Sequence, residues 1–257
     1  MLFDYSRRFG GVSRLYGEQG AASLQAANVC VVGIGGVGSW AMEALARTGI
    51  GRITAVDLDM VAESNTNRQI HALGDVYGKA KVDAMEERVR QINPDCVVKC
   101  IEEFVTQENL NEIIHSGFDV VIDAIDQVRI KAAMIAHCHR QKIKIIVAGA
   151  AGGQTDPTQI RVADISQTVQ DPLLAKVRSI LRKEYGFSRG GKGKFGVNAV
   201  FSMEPLRYPN SVDSCDSTRG PIGLNCAGFG SSVCVTSAFG MTAAACAIQH
   251  IIERSDK

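Results

Sequence analysis

Gly33-Ile-Gly35-Gly36-Val-Gly38 is the densest chemical signal in this 257-residue chain. Glycines at that spacing let backbone N–H groups close on a phosphate at a helix N-terminus. Asp57 follows 24 residues after Gly33, an interval at which a carboxylate commonly meets a ribose hydroxyl. Alone, these two features fit a nicotinamide dinucleotide. What comes next does not. Asp57-x-Asp59 leads into Ser64-Asn65-Thr66-Asn67-Arg68-Gln69, Gly78-Lys79-Ala80-Lys81 opens a helical stretch, and Asp119-x-x-x-Asp123-x-x-Asp126 closes an apolar run. Carboxylates at strand ends can hold Mg²⁺, which takes substrate phosphates as further ligands. Arg68 and Lys81 supply the positive charge that a triphosphate needs. The mixture suits nucleotidyl transfer better than hydride transfer. The alternative is that these charges pair on the surface as ordinary solvated ions.

Such residues must be carried at the ends of regular elements, and the hydrophobic pattern supplies them. Apolar runs at 28–33, 52–57, 97–101, 118–124 and 143–148 read as strands. Helical spacing is seen at 39–48, 79–91 and 128–141, with a short helix after Thr106. Alternating strand and helix with near-continuous apolar strands predicts an α/β fold, a doubly wound, Rossmann-like, mostly parallel sheet with a C-terminal extension. Ligand is expected at the carboxyl ends of the strands. We divide the chain at residues 1–165, the nucleotide-binding domain, and 166–257, the extension. In the latter, 173–185 reads as a helix and 197–203 as a strand.

Composition sets the outer limits. Apolar residues make up 46% and charged residues 21%, which excludes wholesale disorder. The net charge of +1 excludes a uniformly basic protein. It conceals a basic segment, however. Between Lys176 and Lys194 there are seven basic side chains (Lys176, Arg178, Arg182, Lys183, Arg189, Lys192 and Lys194) against one acid, Glu184. Cations on a glycine-rich loop can follow a phosphate backbone, and Tyr185, Phe187 and Phe195 are available to stack on bases. The plainer reading is a solvated face.

No two of the eight cysteines fall at C-x2-C spacing, which argues against structural zinc. Cys30 and Cys234, flanked by valines, read as inert core residues. Cys226 and Cys215 are the candidates for a reactive thiol. His71 reads either as a proton-transfer group or as a structural histidine. The start of the chain shows no signal-peptide pattern, so a cytoplasmic location is expected. Residues 220–252 contain no Asp, Glu, Lys or Arg. Their density of small and hydroxylated residues favours a buried element or subunit interface; the alternative is membrane association through this stretch.

The combination of Gly33-x-Gly-Gly-x-Gly38, Asp57-x-Asp59, Ser64-Asn-x-Asn-Arg-Gln69, Lys81 and Asp126 resembles the adenylating domain shared by ubiquitin-activating enzymes and the bacterial thiamine- and molybdopterin-pathway activators. The resemblance spans about residues 8–155. Within it, Arg8-Phe-Gly-Gly-Val-x-Arg14-Leu-Tyr-Gly17, Thr66-Asn-Arg-Gln-Ile-His-Ala-Leu73 and Gly152-Gly-Gln-Thr-Asp-Pro-Thr-Gln159 are similar to one branch, the tRNA threonylcarbamoyladenosine dehydratases. Gly191-Lys-Gly-Lys-Phe-Gly196 and Gly228-Phe-Gly230 extend the match through nearly the whole chain.

That resemblance implies a set of roles. Gly33, Gly35, Gly36, Gly38 and Asp57 would hold ATP, with Asp57 on the ribose. Arg68 and Lys81 would contact phosphates, Asn65 would help to position them, and Asp126 with Asp59 would bind Mg²⁺. The family also draws an arginine from a neighbouring subunit through an Arg-x-x-Arg-Gln motif. Its second arginine falls on Gly11 here, leaving Arg8 or Arg14 as substitutes. The implied assembly is a homodimer. The implied partner is tRNA, contacted by Arg182, Lys183, Arg189, Lys192 and Lys194. Members of the branch are also described as sulfur acceptors of a cysteine desulfurase. The rival readings are adenylation of a sulfur-carrier protein, an NAD-dependent dehydrogenase, and a scaffold that binds ATP without turning it over.

Overall fold

The computed structural model describes residues 4–189, 193–208 and 229–255. Its strands alternate sides as period-two geometry requires. In β1 (Asn28–Val32), Val29 and Val31 enter one hydrophobic core while Cys30 and Val32 enter another across the sheet. Both faces are therefore covered. The remaining strands are β2 (Arg52–Val56), β3 (Val97–Ile101), β4 (Val120–Asp123), β5 (Lys144–Ala148), β6 (Ile160–Asp164) and β7 (Asn198–Ser202), in the order β3-β2-β1-β4-β5-β7-β6. All neighbours are parallel except β7 and β6. Strand order reverses between β1 and β4, which opens a crevice at their carboxyl ends.

One face is covered by α1 (Tyr5–Ala26), α2 (Gly38–Arg47), α3 (Lys81–Ile92) and α7 (Val233–Ser255), the other by α4 (Leu110–Ile113), α5 (Val128–Gln141) and α6 (Pro172–Glu184). The sequence pattern does not reveal α1 or β6. Four glycines break the apolar stripe of α1, which is kinked at Gly17, and β6 is a half-exposed edge strand. The segment after residue 165 builds into the same sheet, because β7 pairs with both β5 and β6.

Among the described residues, most of the uncharged C-terminal run forms the helix α7. It is long and apolar enough to cross a membrane by length and composition. Here it packs on the sheet, burying Val235, Phe239, Ala243, Ala247 and Ile251. Its Gly240 sits so close to α2 that a Cβ would overlap the Val37 carbonyl oxygen. That close crossing fixes the first turn of α2, where the glycine loop ends.

Candidate active site

The loop after β1 is tied down before any ligand arrives. Gly33 donates its N–H to the Val56 carbonyl at 2.9 Å and adopts φ +88°. A Cβ on Gly38 would overlap the Gly33 carbonyl oxygen, so the turn closes only with glycine at both ends. Asp57, just beyond β2, accepts from the Ile34 N–H at 2.6 Å and from the Asp59 N–H at 2.9 Å. Each carboxylate oxygen keeps a lone pair for a hydroxyl. Burial pushes the Asp57 carboxyl above its ordinary pKa, against the pull of the nearby Lys81 charge.

These groups border a cleft of about 360 Å³ at the carboxyl ends of the strands. Gly33, Gly35, Gly36, Asp57, Asp59, Arg68, Lys81 and Asp126 line it, together with Gln69, Phe104 and Val105, which carry no role in the motif reading. Lys81 opens α3 and is buried at 5% exposure, and its Nζ lies 2.7 Å from Asp59 Oδ2. Arg68 is held by the Ser64 carbonyl at 2.7 Å and the Asn67 side chain at 2.9 Å, while Trp40 donates to its backbone carbonyl.

Several expected contributors lie elsewhere. Asn65 does not line the cleft. Its Oδ1 accepts the Ala62 N–H at 3.0 Å and its carbonyl accepts from Arg68 and Gln69, so it shapes the turn that presents Arg68. Asp119 stands at the opposite end of β4, paired with Arg254 at 3.0 Å. Asp123 is fully buried against Lys131 at 2.7 Å. Both lie apart from Asp59 and Asp126, the two carboxylates expected to hold the metal, which line the cleft. Asp126 is exposed and makes no hydrogen bond or ion pair to another described residue, whereas Asp59 is engaged by Lys81. One such carboxylate beside a phosphate cradle fits Mg²⁺, which keeps water and phosphate oxygens for its other ligands. His71 is 2% exposed with no partner on either ring nitrogen. Burial, with help from the Lys81 and Arg88 charges, pushes its pKa down to about 4. It does not line the cleft.

Arg8 and Arg14 lie on α1. Arg8 donates to the Gln91 and Ile92 carbonyls at 2.9 and 2.8 Å, closing the C-terminus of α3, and Arg14 is exposed. Of the basic segment, Lys183, Arg189 and Lys194 are exposed, while Arg182 lies over the Phe195 ring at 5.4 Å. The aromatics expected to stack on bases are turned inward. Phe195 is buried against Phe187, Phe187 meets His139, and Tyr185 packs on the same core. Cys30 is buried and its thiol pKa is raised, whereas Cys234 is exposed on α7, contrary to its expected core position. Lys192, Cys215 and Cys226 lie outside the described residues.

The ThiF family pattern matches residues 5–252. This chain belongs to the ThiF family. The tRNA threonylcarbamoyladenosine dehydratase of Haemophilus influenzae is 49% identical over 252 residues, covering 98% of this ThiF-family chain and 95% of its own length. That of Escherichia coli is 50% identical over 256 residues, covering 98% and 96%. The solved E. coli dehydratase, TcdA, in complex with ATP matches at TM-score 0.89 and 49% identity, covering 100% of this chain and 98% of that one. A second structure of that enzyme is a complex with AMP.

Proposed function

We propose that this ThiF-family protein is an ATP-dependent tRNA threonylcarbamoyladenosine dehydratase. The reading rests on one observation above others. A cleft lined by Arg68, Lys81 and Asp126 beside a glycine turn occurs in a chain that matches dehydratases over 98% of its length.

The reaction follows from carboxylate chemistry. The threonyl carboxylate attacks the α-phosphorus of ATP and expels pyrophosphate, giving an acyl-adenylate. A nitrogen or oxygen of the same side chain then attacks the activated carbonyl, closing a ring and releasing AMP. The net change in the nucleoside is the loss of one water. Tethering nucleophile and electrophile in one substrate removes the entropic cost of a second encounter. Glycine-loop N–H groups and Asp57 seat the nucleotide, and Arg68 and Lys81 stabilise the negative charge that builds on the phosphates. Mg²⁺, held by Asp126, would polarise phosphate oxygens there. Exposed Lys183, Arg189 and Lys194 supply the sequence-independent attraction for the tRNA backbone. We place the protein in the cytoplasm, as a homodimer.

The decisive measurement is mass spectrometry of tRNA nucleosides after incubation with the protein and ATP. A threonylcarbamoyladenosine lighter by one water is expected, with AMP as the nucleotide product. ADP would exclude the adenylate step, and an unchanged nucleoside would exclude the reaction.

A further inference from the structure

A second cavity, of about 220 Å³, lies beside the nucleotide cleft and plays no part in the roles described above. It forms where the loop leaving β5 meets the segment after β7 and the turn that begins α7. Gly153 donates to the Gly230 carbonyl at 3.0 Å and accepts from the Arg207 N–H at 2.8 Å. Glu204, buried at 5% exposure, makes this junction rigid. It accepts from the Thr155 and Asp156 backbone N–H groups at 2.9 and 2.8 Å and holds Arg207 Nε at 3.2 Å. The cavity and the cleft have no lining residue in common, but neighbouring residues join them. Asn67, next to Arg68, donates to the Ser231 carbonyl at 3.2 Å, and a Cβ on the cleft's Gly36 would lie 3.5 Å from Thr236 Cβ.

The lining has a definite chemistry. Gln154 is 3% exposed and its Oε1 has no hydrogen-bond partner, an arrangement that costs free energy unless a donor completes it. Arg207 spends only Nε on Glu204 in the bonds the structure shows, and two further nitrogens can meet an anion. Ser231 and Ser232 line the cavity immediately before α7, whose positive end therefore borders it. At the mouth, Tyr208 is exposed and meets Phe229 edge-on, ring centroids 5.4 Å apart. An anion, a hydrogen-bond donor and a flat ring are thus each provided for. The volume is below the ~300–1,000 Å³ common for whole-ligand pockets, so it suits one arm of a larger molecule.

We propose that this cavity seats the threonylcarbamoyl arm of the tRNA nucleoside, beside the nucleotide that activates it; this rests on the dehydratase reading. One carboxylate oxygen faces Arg207 and the N-terminus of α7 while the other stays free to attack the nucleotide, a ureido N–H completes Gln154 Oε1, and the adenine base stacks on the Tyr208–Phe229 pair.

The test is steady-state dehydration of modified tRNA by the full-length protein, with ATP binding measured in parallel by titration. Arg207→Ala is expected to raise KM for tRNA about tenfold, the loss of one charge-assisted contact, with ATP affinity unchanged within twofold. Arg207→Lys should recover part of the loss. Free threonylcarbamoyladenosine and its methyl ester serve as competitors. The acid should compete better than the ester against wild type, and the two should become equal against Arg207→Ala. Gln154→Leu should raise KM for tRNA while melting no lower than wild type, because a buried unpaired acceptor is gone. An active wild type whose variants keep both its KM and its preference for the acid would overturn the cavity assignment and leave the reaction intact. A wild type that binds ATP but dehydrates nothing overturns the dehydratase reading, and this assignment with it.

Discussion

Lys81 and Asp59 form an unequal ion pair: Nζ and Oδ2 are 2.7 Å apart, with the lysine side chain 7% exposed and the aspartate 55%. The lysine depends on the contact, since a buried ammonium is costly without a partner. The aspartate, solvated on its outer side, does not. This asymmetry makes Asp59 a holder of Lys81, keeping the ammonium at the cleft until a phosphate competes for it.

Replacement of Lys81 should therefore separate chemistry from stability. Lys81→Met leaves Asp59 solvated and Asp57 still held by two backbone N–H groups, so its melting temperature should stay within a few degrees of wild type. Turnover of modified tRNA should fall roughly 100- to 1,000-fold, as when one preorganised donor is removed from a developing charge. Retention of more than a tenth of the wild-type rate would take Lys81 out of the reaction.

Asp126 gives a sharper readout through the metal. It is exposed at the cleft with no ion pair among the described residues, so Asp126→Asn should not alter the melting temperature. Titration of ATP into wild type should give tighter binding with Mg²⁺ than with a chelator present. In Asp126→Asn the two curves should coincide. If the variant keeps the full Mg²⁺ effect, the ion is held by other groups.

The sequence carried the βαβ frame and the cleft residues because strands buried on both faces have a one-dimensional signature. Gly33, Asp57 and Asp126 follow the ends of such strands, Lys81 opens α3, Arg68 sits in the turn after Asn65, and all border one cleft. What sequence reasoning missed depends on tertiary packing. Helix α1 carries Gly10, Gly11, Gly17 and Gly20, which disguise its apolar face. Phe187 and Phe195 sit among glycines and lysines and read as exposed, yet they pack on each other. Asp123 stands in one run of carboxylates with Asp126, and nothing in the spacing reveals that Lys131 turns inward to bury it. Gln69 stood in the recognised motif, but its lack of a partner for Oε1 is visible only in three dimensions.

His71 should set part of the acid limb of stability. Its folded pKa is pushed down to about 4 from the ordinary 6.5, so the unfolded chain takes up this proton first. The sign follows: stability is complete above pH 6.5 and is lost as pH falls toward 4. The loss amounts to roughly 3 kcal/mol at most, at about 1.4 kcal/mol per pKa unit. Denaturant titrations at pH 7 and pH 4 should show a smaller drop for His71→Leu than for wild type. The buried carboxyls of Asp57 and Asp123, with raised pKa values, act in the opposite direction and cancel in that comparison. Equal drops would mean that His71 is reached by solvent protons in the folded state.

The Lys131–Asp123 pair links stability to the placement of Asp126. Both side chains are fully buried, and burial raises the Asp123 carboxyl pKa while Lys131 opposes the rise. Asp123 Oδ1 also accepts the Ile125 N–H at 3.2 Å, bracing the turn that carries Asp126 to the cleft. Lys131→Met should cost about 3–5 kcal/mol, because an uncompensated carboxylate stays inside. Lys131→Met combined with Asp123→Leu removes both charges at similar volume and should recover most of that loss, a non-additivity read directly from denaturant melts. The double variant nevertheless lacks the bond to Ile125. It should fold well and bind Mg²⁺–ATP several-fold more weakly than wild type. A double variant with wild-type nucleotide affinity would show that the turn holds its shape without Asp123, reducing the ion pair to a purely structural element.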